Sequence, residues 1–143
     1  MTLPAPGAEL GPLTYAVTRA DLVRYAGASG DFNPIHWSDR VAEEVGLPGV
    51  IAHGMLTLAL AGRAASQWAG GADRVVELGA RFTRPVVVPD DEDGTQVQVH
   101  GTVVDAQDET VRIDLTVTSG GTKVLGQARA VVRATPVAQV ADA

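Results

Sequence analysis

Between Ser29 and Trp37 the chain reads Ser-Gly-Asp-Phe-Asn-Pro-Ile-His-Trp, placing a carboxylate (Asp31), an amide (Asn33) and an imidazole (His36) on backbone stiffened by Pro34. Neutral imidazole accepts a proton from carbon or from water near pH 7, and a nearby carboxyl group gives or takes the second proton. Such a pair can add water to an activated double bond, or remove it. Either residue alone reads more simply as a turn aspartate or a structural histidine. Together on a stiffened loop they point to catalysis. Asn33 does not titrate, so its expected part is support of the loop or of a reacting neighbour. Ser29 carries a hydroxyl, but Gly27-Ala-Ser-Gly-Asp31 lacks the final glycine of G-x-S-x-G, so Ser29 too is taken as supporting.

A second group of interest is Ile51-Ala-His-Gly-Met55. Gly54 falls at the start of a long apolar segment, where a helix has unpaired N–H groups and a positive dipole end. An enolate oxygen formed beside a thioester carbonyl would be stabilised there. The residues alone leave a second reading open, that Gly54 is glycine for close helix–sheet packing. His53 and Met55 flank it and are candidates for substrate contact, as are Arg81 and Arg84, which could meet a phosphate or an acidic carrier. His53, His36 and Asp31 have metal-binding side chains, yet their spacing matches no ligand motif, so no metal is expected. His100 alternates with valines and reads as a surface residue on a strand.

These groups need elements to hold them. Leu13–Val17 reads as a short strand, and Thr18 with Asp21 caps a helix through Tyr25 that Gly27 and Gly30 stop. Pro34 keeps residues 29–37 irregular. Ser38 or Asp39 opens a short helix to Val45, and Ile51–Trp68 is a long helix of small and apolar residues that must be buried on most sides. Ala59, Ala61, Gly62 and Ala65 within it either permit close packing or open an acyl tunnel, with packing favoured. A period of two then marks strands at Val75–Phe82, Gln96–Val104, Val111–Thr118 and Lys123–Val132, the last two joined by Gly120-Gly121. The expectation is an α+β domain at 13–133, an antiparallel sheet of about five strands around one long helix, with an N-terminal arm at 1–12 and a C-terminal tail at 134–143.

Bulk composition narrows the function classes. The 143 residues suit one domain, and 45% hydrophobic content with only 4% aromatic implies a core of small aliphatic side chains. Net charge is −6 with scattered Lys and Arg, so nucleic acid is not an expected partner. The absence of cysteine excludes disulfides, thiolate catalysis and cysteine-held zinc or iron–sulfur groups. Without a signal-like start or an uninterrupted apolar span, a soluble cytoplasmic protein is expected.

SGDFNPIHW followed by AHGM at the head of a long apolar helix resembles the MaoC-like, or (R)-specific enoyl hydratase, family of hot-dog-fold proteins. Tyr25, Ser29, Gly30, Asp31, Asn33, Pro34, Ile35, His36 and Ala42 all comply with the family motif. From about residue 17 to 134, VTRADLVRYAGASGDFNPIHW, VIAHGMLT, RFTRPVVVP and TSGGTKVLGQA look like the catalytic β subunits of (3R)-hydroxyacyl-acyl-carrier-protein dehydratases of dissociated fatty-acid synthases. The resemblance implies that Asp31 and His36 bind the catalytic water, that Gly54 N–H polarises the thioester carbonyl, and that no cofactor is needed. It implies an acyl thioester on acyl carrier protein or coenzyme A as substrate, and a homodimer, or a heterodimer with a related hot-dog subunit. The expected reaction is reversible dehydration of (3R)-3-hydroxyacyl thioesters to trans-2-enoyl thioesters. The alternatives are an (R)-specific enoyl-coenzyme A hydratase of β-oxidation, storage-polymer or secondary metabolism, a hot-dog thioesterase, which the intact motif disfavours, and a non-catalytic thioester-binding subunit.

Overall fold

In a computed structural model that describes residues 4–134, the period-two segments form the two longest strands, β3 (Thr95–Gln107) and β4 (Thr110–Ser119). Val97, Val99, Val103, Ile113, Leu115 and Val117 are buried on one face, while Gln96, Gln98, Arg112, Asp114 and Thr116 lie on the other. Four more strands, β1 (Glu9–Val17), β2 (Val75–Phe82), β5 (Thr122–Lys123) and β6 (Leu125–Arg133), complete one antiparallel sheet. Its order is β1-β3-β4-β6-β2, with β5 paired to β4. Strands β1 and β2 are therefore the edges.

Strand β1 begins at Glu9 rather than Leu13, so part of the expected arm is sheet. Gly11-Pro12 sits in a register shift between Leu10 and Leu13. Pro12 has no N–H to give, which an edge strand tolerates. Met1–Leu3, and all but the first residue of the expected tail, lie outside the described residues. The expected strand Lys123–Val132 is divided: Val124 and Leu125 are both buried, and two successive inward side chains break the alternation of a regular strand. β5 stays beside the end of β4, and β6 runs on between β4 and β2. Gly120 and Gly121, at φ 58° and 75°, make the tight turn.

Helix α1 (Arg19–Ser29) starts with a capping box, Thr18 N–H donating to Asp21 Oδ2 (2.8 Å) and Asp21 N–H to Thr18 Oγ1 (3.3 Å). It runs through Gly27 and stops only at left-handed Gly30 (φ 75°). A helical glycine costs about 1 kcal/mol against alanine, which the cap and buried Leu22 and Ala26 offset. Ser38 caps the short α2 (Asp39–Glu44). The long helix α3 (Gly54–Ala69) begins three residues after Ile51, because Val50 O accepts from Val88 N–H and Ile51 O is bonded to His36 Nδ1, which takes both carbonyls away from the amides four residues on.

Helix α3 touches β1, β2, β3, β4 and β6, so the sheet curls around it in the α+β hot-dog arrangement. Ala61, Ala64, Ala65 and Ala69 are buried in that contact. A Cβ on Gly62 would lie 2.8 Å from Leu78 Cδ2. Ala61, Gly62 and Ala65 thus serve close packing, while Ala59 is exposed. Among the described residues no helix is long and apolar enough to cross a membrane.

Candidate active site

The polar loop is braced from both ends. Pro34–His36 forms one 3-10 turn, capped by Asn33, whose Oδ1 accepts from Ile35 N–H (3.2 Å). Asn33 N–H donates to Asp31 Oδ1 (3.1 Å), and Asp31 N–H donates to Ser29 Oγ (3.2 Å). Asn33 and Ser29 therefore shape the loop around Asp31. Ile51 N–H donates to Ile35 O, and Ile51 O is 2.7 Å from His36 Nδ1. The loop is tied in this way to the segment that leads into α3.

That second tie selects the chemistry of His36. A carbonyl only accepts, so Nδ1 carries the proton and Nε2 of the neutral ring is the free base. His36 Nε2 faces Asp31 Oδ2 at 3.8 Å, too far for a hydrogen bond, which leaves both groups free for a third. His36 is buried, while the Asp31 side chain is half exposed. The imidazole and the carboxyl group thus meet at a solvent boundary.

His53 lies behind them. Its ring stacks on His36 with centroids 3.8 Å apart and planes at 22°, and Tyr25 of α1 meets it edge-on at 4.8 Å. His53 Nε2 is 3.1 Å from the Asp31 carbonyl, so Nε2 is its protonated nitrogen. Burial holds its pKa below the ordinary value, opposed by the bond to the Asp31 carbonyl and reinforced by His36 nearby. His53 is accordingly neutral near pH 7.

His36 and Gly54 line one groove of about 410 Å³, walled by Ile35, Leu47, Ile51, Phe82, Val86 and Leu125, with Thr57 buried at its side. The N-cap residue of α3, His53, makes no side-chain cap bond, so the first amides keep the positive dipole end available to an oxygen. A Cβ on Gly54 would lie 3.0 Å from the Phe82 ring. The packing reading of Gly54 therefore holds, and the amide is left bare of side chain beside the groove.

The remaining candidates separate. Arg84 lines the groove. Arg81 does not: it shares the outer face of the sheet with Glu77, Arg112, Asp114 and Arg129, because alternation along β2 turns it away from the helix. Met55 is exposed and His53 is buried, and neither lines the groove. His100 is partly exposed beside Glu9 (3.3 Å). Metal-binding atoms of Asp31, His36 and His53 come within 4.8 Å of one another. Imidazole lone pairs lie in the ring planes, however, and two nearly parallel rings 3.8 Å apart cannot both aim at one ion at ligand distance.

Sequence reasoning missed the Ile51 carbonyl that orients His36, the Phe82 ring over Gly54 and the buried Thr57. No residue-type signal marks a backbone acceptor. The aromatic residue at position 25, part of the motif, was the available sign of a ring packed against the site.

The family profile described as "MaoC like domain" matches residues 2–121. The 3-hydroxyacyl-thioester dehydratase X of Mycobacterium tuberculosis is 41% identical over 87 residues, 61% of this chain and 28% of that protein. A solved MaoC-like dehydratase superposes with a TM-score of 0.88 at 35% identity, covering 92% of this chain and 41% of the other. The R-hydratase PhaJ1 of Pseudomonas aeruginosa superposes with a TM-score of 0.77 at 27% identity, covering 92% and 86%. The chain thus spans little more than a quarter of the curated relative.

Proposed function

The chain belongs to the MaoC-like domain family, and on that premise we propose that it catalyses the reversible dehydration of (3R)-3-hydroxyacyl thioesters to trans-2-enoyl thioesters in fatty-acid elongation. The observation that carries the reading is the free Nε2 of His36, which faces the Asp31 carboxyl group at 3.8 Å while His36 lines a groove together with Gly54 at the start of α3.

In dehydration, His36 Nε2 takes the C2 proton, and the electron pair passes toward the thioester oxygen, which the Gly54 N–H holds. As the C2–C3 double bond forms, the C3–O bond breaks, and the Asp31 carboxyl proton goes to the departing hydroxyl to release water. Proton transfer from His36 back to Asp31 resets the pair. Hydration runs the same steps in reverse, with Asp31 taking a proton from water and His36 delivering one to C2. Asn33 and Ser29 hold the loop, and Arg84 at the groove wall meets the carrier's anionic groups. The apolar walls Ile35, Leu47, Ile51 and Leu125 accept the acyl chain.

A second hot-dog subunit, a copy of this chain or a related one, completes the sheet at an exposed edge. The reaction uses no cofactor, and the cytoplasm is the proposed location. The resemblance of fold and sequence to an R-hydratase keeps one alternative in play, hydration of enoyl-coenzyme A as the working direction. One assay tests both: loss of enoyl absorbance on adding the protein to trans-2-enoyl thioesters of short and long chains, on coenzyme A and on acyl carrier protein. Turnover that disappears in His36→Ala supports the reading, and preference between carriers chooses the pathway class. No turnover on either carrier, with or without a partner subunit, refutes it.

A further inference from the structure

We infer that His53 is a positioning residue: without touching substrate, its ring backs the His36 imidazole and its Nε2–H anchors the Asp31 main chain. The inference rests on the reading of Asp31 and His36 as the reacting pair. His53 is 1% exposed, and the groove is lined by its neighbours Ala52 and Gly54 but not by His53 itself. Contact with substrate is therefore not its part.

Three contacts converge on this ring, one from α1 and two from the polar loop. Its face covers the His36 ring at 3.8 Å, Tyr25 of α1 makes a T-shaped contact with it at 4.8 Å, and its Nε2 bonds the Asp31 carbonyl at 3.1 Å. Because His53 is the N-cap residue of α3, this bond ties the main chain of the acid to the helix start that offers the oxyanion amide. The stack blocks rotation of the His36 ring, which would exchange Nδ1 for carbon at the Ile51 carbonyl. Base, acid and amide are in this way registered against one rigid body.

The remaining ring nitrogen separates this role from simple packing. His53 Nδ1 is buried and, among the described residues, has no partner. An apolar residue would fill the same space without a bare lone pair. Nε2 must hold the single proton of the neutral ring for the bond to Asp31 O, so Nδ1 stays unprotonated. The titratable groups around the ring are His36, Asp31 and Tyr25, and a neutral His53 puts no second positive charge beside the imidazolium that His36 becomes in turnover.

Two substitutions divide the role: His53→Phe keeps a stacking ring without the donor, and His53→Gln keeps an N–H donor without the ring. Each should lower kcat roughly tenfold to a hundredfold while KM stays within about threefold. Imidazole 15N NMR supplies a readout that packing alone would not move. In the unmutated protein His53 should be a single neutral Nε2–H tautomer near pH 7 and above, and His36 should be the Nδ1–H tautomer when neutral. In both variants the His36 signal should shift toward a mixture of tautomers. Wild-type kcat in both variants, a rise in KM with kcat unchanged, or a doubly protonated His53 near neutral pH would overturn the inference. If His53→Phe does not fold, His53→Gln and the unmutated spectrum still decide. Absence of turnover in the unmutated protein would refute the dehydratase reading, while the tautomer measurements would judge the placement of His53 separately.

Discussion

Asp31→Asn separates chemistry from stability. Asparagine keeps an Oδ1, so the bond from Asn33 N–H (3.1 Å) survives, and the bonds of the Asp31 backbone to Ser29 Oγ and His53 Nε2 do not involve the side chain. The side chain is half exposed, and its replacement strands no buried partner. Stability should therefore change by no more than about 0.5 kcal/mol. What is lost is the titrating oxygen that faces His36 Nε2. General acid–base catalysis contributes about 10²–10⁴-fold, or about 2.7–5.5 kcal/mol of barrier, so turnover should fall by at least about a hundredfold. The assay is hydration of a trans-2-enoyl thioester followed by absorbance, beside a thermal melt of the same preparation. Turnover within about threefold of wild type would refute the role of Asp31. Lost turnover with a fall in Tm of more than about 4 °C would show instead that Asp31 acts through the loop fold.

Below pH about 6.5 the unfolded chain binds a proton at His53 that the folded chain resists. The stabilising effect is thus fully present above that pH and is lost as pH falls toward the depressed folded value, at up to about 1.4 kcal/mol per pH unit. Melts between about pH 7 and 5 should show a steeper fall in Tm for wild type than for His53→Gln, and equal slopes would refute this. Gly101→Ala should cost about 1–3 kcal/mol in denaturant unfolding, because the new Cβ would lie 2.8 Å from Trp68 Cζ3 and 3.0 Å from Ile113 Cγ2. Thr18→Ala removes the cap of α1 and should cost about 1 kcal/mol in the same measurement.

Short-range features were legible because their causes lie within a few residues. Thr18 and Asp21 cap α1 through bonds three positions apart, Ser38 caps α2, and Gly120-Gly121 makes a hairpin that any local reading finds. The proline-stiffened loop with Asp31 and His36 belongs to the same class, as does Gly54 at a helix start. Element ends were less legible. Gly27 left open where α1 stops, and the bonds that hold the Val50 and Ile51 carbonyls out of α3 come from Val88 and His36, far along the chain.

What the sequence by itself determined is the set of proposed reacting groups and the local backbone that carries them, since capping, turn formation and period-two burial depend on neighbours in the chain. Only the tertiary structure decided which nitrogen of His36 is free, because the carbonyl of Ile51 makes that choice across fifteen positions of sequence. It likewise turned Arg81 to the outer face and Arg84 to the groove, through the alternation of β2 and its end beside Gly54. It also placed His53 behind the His36 ring rather than on the groove wall. Stacking and backbone acceptance are contacts between segments that meet only when the sheet closes around α3, and no spacing of residue types encodes them.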